Sequence, residues 1–151
     1  MITRTFSKAY CLSALRVGYA ISSPGAVTQG LIQNRSSFSV SRPALAAASA
    51  ALRDQDYMQN VRANTIAARQ ELAVGLNGLG CTVLPSRANF LTVRPHEVPA
   101  ADLAQLARDA GILIQAMPWP DDKGSLRITV GTPPENQRLL DVLAPALSEH
   151  A

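Results

Sequence analysis

Cysteine is scarce in this sequence. Cys11 and Cys81 are the only two, 70 positions apart. They form no disulfide framework, and with His96 and His150 as the only histidines they form no metal constellation. Both are expected as buried or neutral thiols in a reducing cytoplasm. Lysine is scarce too: Lys8 and Lys123 stand against twelve arginines. The net charge of +3 is spread without a dense basic run, and no nucleic-acid-binding pattern is present, so no nucleic-acid partner is expected. No apolar run approaches the ~18 residues needed to span a bilayer. Met1-Ile2-Thr3-Arg4 is not followed by the apolar stretch of a secretory signal. The expectation is a cytoplasmic protein with no membrane partner and no metal.

What is present suits a folded domain. Hydrophobic residues make up 47% of the 151 and charged residues 17%, a globular balance. Alternation predicts a strand over residues 2–7, a turn containing Lys8, and a second strand over 17–22. Pro24-Gly25 opens a helix with Val27, Leu31 and Ile32 as its apolar residues. Ser41-Arg42-Pro43 marks another helix start, continued by the alanine-rich stretch 44–52. Over 56–79, Tyr57, Val61, Ala68, Leu72, Leu76 and Leu79 form a helical stripe, ended by Gly78 and Gly80.

From residue 81 the order reads β-β-α-β-β-α. Strands are predicted over 82–84, 89–93, 112–116 and 126–130, and helices over 99–110 and from Pro133 onward. The last helix opens with a Thr132-to-Glu135 capping pattern. This order implies a mostly antiparallel sheet with helices on one face. Residues 1–40 read instead as closing strands of another sheet.

The stretch that carries chemistry is Thr5-Phe6-Ser7-Lys8, followed by Leu15-Arg16-Val17-Gly18-Tyr19. A turn lysine flanked by hydroxyls, with an arginine eight residues on, suits an aldehyde cofactor that bears a phosphate. The amine can bond the aldehyde, and hydroxyls and a forked guanidinium match phosphate oxygens. As a bare pattern it equally describes an ordinary exposed lysine in a hairpin.

Arg4-Thr5-Phe6-Ser7-Lys8-Ala9-Tyr10, then Leu12, then Leu15 to Ala20, resembles the cofactor-lysine region of histidinol-phosphate aminotransferases. Ala88-Asn89-Phe90-Leu91, Gly111-Ile112-Leu113-Ile114 and Leu126 to Pro133 with Glu135-Asn136 continue the resemblance in order. It implies an α/β protein: the C-terminal part of the pyridoxal-phosphate-dependent transferase fold type I. Residues 1–55 would end the large cofactor-binding domain, 56–80 would form a connecting helix, and 81–151 a small α+β domain.

By the same resemblance the cofactor is pyridoxal 5'-phosphate. Lys8 would be the catalytic lysine that carries it and moves the substrate Cα proton. Thr5, Ser7 and Arg16 would hold its phosphate, and Arg127 would clamp the substrate carboxylate. Alternation supports the last role, since Leu126, Ile128 and Val130 point one way and Arg127 and Thr129 the other; a surface strand arginine would look the same. The partners implied are a small amino donor, a 2-oxo acid such as 2-oxoglutarate, and a second copy in a homodimer, with Arg42 and the 43–53 helix near the site.

Three departures qualify these expectations. The resemblance covers less than half of a family member and leaves out the aspartate, aromatic and O3' partners of the cofactor ring. The chain alone is therefore expected to be inactive. Cys11 and Ala14 stand where the family usually has glycine, which would cost on the order of 1 kcal/mol at each position that needs positive φ. Gln115 stands where histidinol-phosphate enzymes typically carry an arginine to the substrate phosphate. An aromatic or broad-range aminotransferase, a decarboxylase of the same fold, and a non-catalytic remnant or dimerisation module are the alternatives.

Overall fold

A computed structural model describes residues 1–121 and 123–148. His150 and the end of the expected 81–151 domain therefore lie outside the described residues. The chain divides into two compact units, residues 1–62 and 63–151.

In unit 1, β1 (Ile2–Thr5) pairs antiparallel with β2 (Gly18–Ile21), in a register running from Ile2 opposite Ile21 to Thr5 opposite Gly18. The Phe6 amide donates to the Val17 carbonyl at 3.2 Å and extends the ladder by one step. Between the strands, Ser13–Leu15 make a 3-10 turn. Helices α1 (Ala26–Gln33) and α2 (Arg42–Arg53) follow. The Ser41 hydroxyl caps α2 by accepting from the Ala44 amide, and Pro43 sits where its missing N–H is not needed. Asp54 ends α2, and its carboxylate accepts from the Tyr57 amide to start α3 (Gln55–Gly78). Phe6, Val17, Ala44 and Ala48 are buried together, with Tyr10, Leu12 and Leu15 against them. The α1 residues Val27, Leu31 and Ile32, read from the sequence as its apolar face, are exposed.

Unit 2 holds the rest of α3 and the larger core. A four-stranded antiparallel sheet has the order β3 (Thr82–Val83), β4 (Phe90–Arg94), β6 (Ser125–Thr129), β5 (Gln115–Met117). Helices α4 (Ala100–Asp109) and α5 (Pro133–Ser148) complete it. Leu91 and Val93 of β4 and Leu126 and Ile128 of β6 are buried with Leu72, Leu76, Leu103, Leu139 and Leu143 from the three helices. These strand residues share one face of the sheet, because alternate side chains point to opposite sides.

Gly80 (φ +81°) and Gly111 (φ +77°) turn the chain out of α3 and α4. At each, the following amide bonds back into the helix, Cys81 to Leu76 and Ile112 to Ala107, which satisfies carbonyls the helix end leaves free. Before α5, the Glu135 carboxylate accepts from the Thr132 amide at 2.7 Å and its hydroxyl at 2.8 Å. Those bonds hold the Glu135 carboxyl below the usual glutamate range.

Two sequence expectations shift. The strand expected over 112–116 forms only over 115–117, because the Ile112 amide is spent on closing α4 and ladder partners on β6 begin at Gln115. The stripe on α3 is buried only from Ala68 onward, and Tyr57 at its start is 50% exposed.

Leu143 is fully buried, whereas Leu113 is 79% exposed. Leu143→Ala is expected to cost about 2–5 kcal/mol, and Leu113→Ala about 0.5 kcal/mol or less. Chemical denaturation of the two variants measures this, and equal losses would contradict the packing of unit 2.

Candidate functional site

The hairpin of unit 1 gathers the residues singled out around Lys8. Just past the Phe6–Val17 bond the ladder ends, with Ser7 following Phe6 and the left-handed Arg16 preceding Val17. The Thr5 hydroxyl donates to the Ser7 hydroxyl at 3.0 Å, and the Ser7 amide donates to the Thr5 hydroxyl oxygen at 3.1 Å. Phe6, between them in sequence, points into the small core. Thr5 and Ser7 thus form a hydroxyl pair at the end of β1.

Lys8 lies just beyond that pair, in a turn closed by the Cys11 amide donating to the Lys8 carbonyl at 2.8 Å. Its side chain is exposed, and among the described residues its amine has no hydrogen bond or ion pair. The other lysine differs: the Lys123 Nζ donates to the Glu97 carbonyl at 2.7 Å. Arg16 is also exposed, in a left-handed conformation (φ 50°), with Nη1 donating to the Ser13 carbonyl at 2.7 Å. Two hydroxyls, one guanidinium with donors to spare and one free amine, with no carboxylate bonded to any of them among the described residues, fit a phosphate-bearing aldehyde. A carboxylate in this set would repel the phosphate.

The two glycine departures separate. Cys11 has φ 56° and so occupies a conformation that favours glycine, whereas Ala14 lies inside the 3-10 turn without positive φ. Cys11 also reaches beyond its turn. The neighbouring Cys11 thiol pushes the Tyr57 phenol above its usual range.

Arg127 belongs to unit 2, on the sheet face opposite the core. In register it has Thr92 of β4 on one side and Gln115 of β5 on the other. Its guanidinium carbon lies 4.2 Å from the centre of the Phe90 ring. Further along the same face, Arg94 is bonded to Asp121 at 2.6 Å and lies over Trp119. The Arg94 contact holds the Asp121 carboxyl below its usual range.

Sequence reading named Arg127 and Gln115 separately and did not see that they face each other, and it gave Phe90 no role. Pairing residues 89–93 against 126–130 with the alternation of both strands would have brought Phe90 and Arg127 to one face. Among the described residues no group of three or more His, Cys, Asp or Glu could hold a metal ion, and no helix is long and apolar enough to cross a membrane.

Comparison with known proteins gives a consistent result. The family model described as aminotransferase class I and II matches residues 1–143. Histidinol-phosphate aminotransferase 2 of Pseudomonas fluorescens is 41% identical over 148 residues, which cover 98% of this chain and 40% of that protein. Its namesake from Gluconobacter oxydans is 40% identical over 151 residues, covering 98% and 42%. The crystal structure of histidinol-phosphate aminotransferase from Sinorhizobium meliloti, in complex with pyridoxal-5'-phosphate, superposes with a TM-score of 0.84 at 34% identity, over 99% of this chain and 41% of that one. The chain thus spans about two fifths of the length of the relatives it matches. The mixed helix and strand architecture is that of the C-terminal portion of this fold.

The two thiols differ sharply in environment. Cys11 is exposed; Cys81 is 5% exposed, and burial pushes its thiol up to about 11. Because the thiolate is the reactive form, iodoacetamide at pH 8 is expected to add one equivalent, on Cys11, with Cys81 labelled only after denaturation. Intact mass and peptide mapping check this, and labelling of Cys81 in the native chain would contradict it.

Proposed function

The chain belongs to the class I and II aminotransferases, and from that premise we propose that it supplies the cofactor lysine and a substrate-carboxylate clamp to a pyridoxal-phosphate-dependent aminotransferase of the histidinol-phosphate type. One observation carries the reading. Of the two lysines, the one within the family's lysine motif has a free amine beside paired hydroxyls, while the other amine is tied to a carbonyl. In this reading residues 1–55 end the large domain, 56–80 connect, and 81–151 form the small domain. The continuous helix α3 and the separate core of unit 2 support that division. The whole protein is read as a cytoplasmic homodimer.

Pyridoxal phosphate, when bound, supplies an aldehyde that accepts the amino group and a ring that draws electrons from the substrate Cα. Thr5, Ser7 and Arg16 would hold its phosphate through two hydroxyls and a guanidinium. Lys8 would hold its aldehyde end and would be the base that takes and returns the substrate Cα proton. Arg127 offers paired N–H donors to a carboxylate, which fixes the Cα–H bond for that transfer. Glutamate and 2-oxoglutarate, each with a carboxylate on the reacting carbon, suit that clamp. Gln115, facing Arg127 across the β5–β6 register, brings a neutral amide where a phosphorylated donor gains most from a cation.

The test is made in the protein carrying the large-domain residues as well, with L-glutamate as donor and the appearance of 2-oxoglutarate as readout. Lys8→Ala is expected to lower the rate by about 10²–10⁴-fold or more, and Lys123→Ala to leave it within about twofold. With 2-oxoglutarate as acceptor and glutamate formation as readout, Gln115→Arg is expected to raise kcat/KM for histidinol phosphate relative to phenylalanine about tenfold or more, the value of one charge-assisted contact. A Lys8→Ala enzyme of near wild-type rate would overturn the reading. An unchanged donor ratio would remove Gln115 from the substrate's surroundings.

A further inference from the structure

We propose that Phe90 is a positioning residue for Arg127, holding its guanidinium by the ring face so that its in-plane donors stay free for a substrate carboxylate. This rests on the reading of Arg127 as the carboxylate clamp and adds what orients it. Among the described residues Arg127 makes no hydrogen bond and no ion pair, although it is half-buried. Its register neighbours, Thr92 and Gln115, carry no charge. The contact that fixes it is the Phe90 ring, 4.2 Å from the guanidinium carbon.

Among the described residues, other arginines spend N–H donors on oxygen, and Arg94 does so even though it also lies over the Trp119 ring. Arg94 spends donors on the Asp121 carboxylate, Arg138 on the Ala110 carbonyl, Arg69 on the Ala88 carbonyl and Arg16 on the Ser13 carbonyl. A guanidinium has five N–H donors in its plane and none on its face. Stacking on an aromatic ring engages the face through the ring quadrupole. It orders the side chain and leaves the forked edge that a carboxylate needs for bidentate binding. A carboxylate neighbour would order the side chain equally well and occupy that same edge.

Phe90 is placed for this by two local features. Leu91 and Val93 are buried on the core side, so β4 alternation turns Phe90 and Thr92 to the outer side. Phe90 pairs with Thr129 and Thr92 with Arg127, which makes Phe90 the diagonal neighbour of Arg127. That separation is within reach of a long side chain and an aromatic ring.

The experiment is arginine side-chain NMR on the chain, with 2-oxoglutarate as the probe. In wild type the Arg127 Hδ and Nε–H signals are expected upfield, from the ring current of Phe90, and are expected to move on titration. Phe90→Leu is expected to abolish the upfield shift and raise the dissociation constant for 2-oxoglutarate by about 3- to 30-fold. Phe90→Tyr, which keeps the ring, is expected to keep both. A response at Arg127 with the same dissociation constant in wild type and Phe90→Leu would overturn the role of Phe90 alone. Arg127 signals that do not move with 2-oxoglutarate in wild type would overturn the clamp itself.

Discussion

A Cβ at position 18 would stand 2.7 Å from the Arg4 carbonyl oxygen, so β2 can lie against β1 in this register only with glycine there. The rest of unit 1 follows from that approach. It fixes Thr5 opposite Gly18 and brings the Phe6 amide to the Val17 carbonyl. The segment between them must then turn back within ten residues. It does so with two non-glycine residues, Cys11 and Arg16, in the left-handed region, at about 1–2 kcal/mol each. The buried Phe6 and Val17, packed on Ala44 and Ala48 of α2, hold the ends of this turn. The turn they hold presents the Thr5–Ser7 hydroxyl pair and the free Lys8 amine.

Unit 2 solves a different problem, which is to bury one sheet face while keeping a cation usable on the other. Four strand residues close the core with leucines from three helices, and this fixes the direction of every alternate side chain. Arg127 is thereby sent to the outer face, where among the described residues it has no acidic partner and an aromatic ring lies against it. Arg94, two positions from Thr92 on the same face, is held by Asp121 instead. The two arginines share a surface and differ in what their donors can still do.

Much of this was legible in the sequence because the signals are local. The capping residues Ser41, Thr132 and Glu135 marked helix starts, and glycines at 78 and 80 marked a helix end. Alternation over 126–130 gave the orientation of Arg127. The β-β-α-β-β-α order implied an antiparallel sheet, and the resemblance around Lys8 supplied the chemistry. What escaped depends on pairing between distant segments. The Gln115–Arg127 and Phe90–Arg127 neighbours arise from register, which no single strand reveals. The late start of β5 comes from the Ile112 amide being used by α4, and the exposure of Tyr57 from the lack of apolar packing on the first turns of α3. Positive φ at Cys11 was suggested by the family's glycine there; the same conformation at Arg16 had no sequence signal.

The central claim is that Lys8, of the two lysines in the chain, carries the cofactor. It is tested most directly by incubating the chain with pyridoxal phosphate, reducing with borohydride, digesting with trypsin and mapping the products by mass spectrometry. The account predicts one modified peptide, residues 5–16, with the phosphopyridoxyl group on Lys8 and no cleavage after it. A label on Lys123 or on the Met1 amine, with residues 5–8 released unmodified, would contradict it.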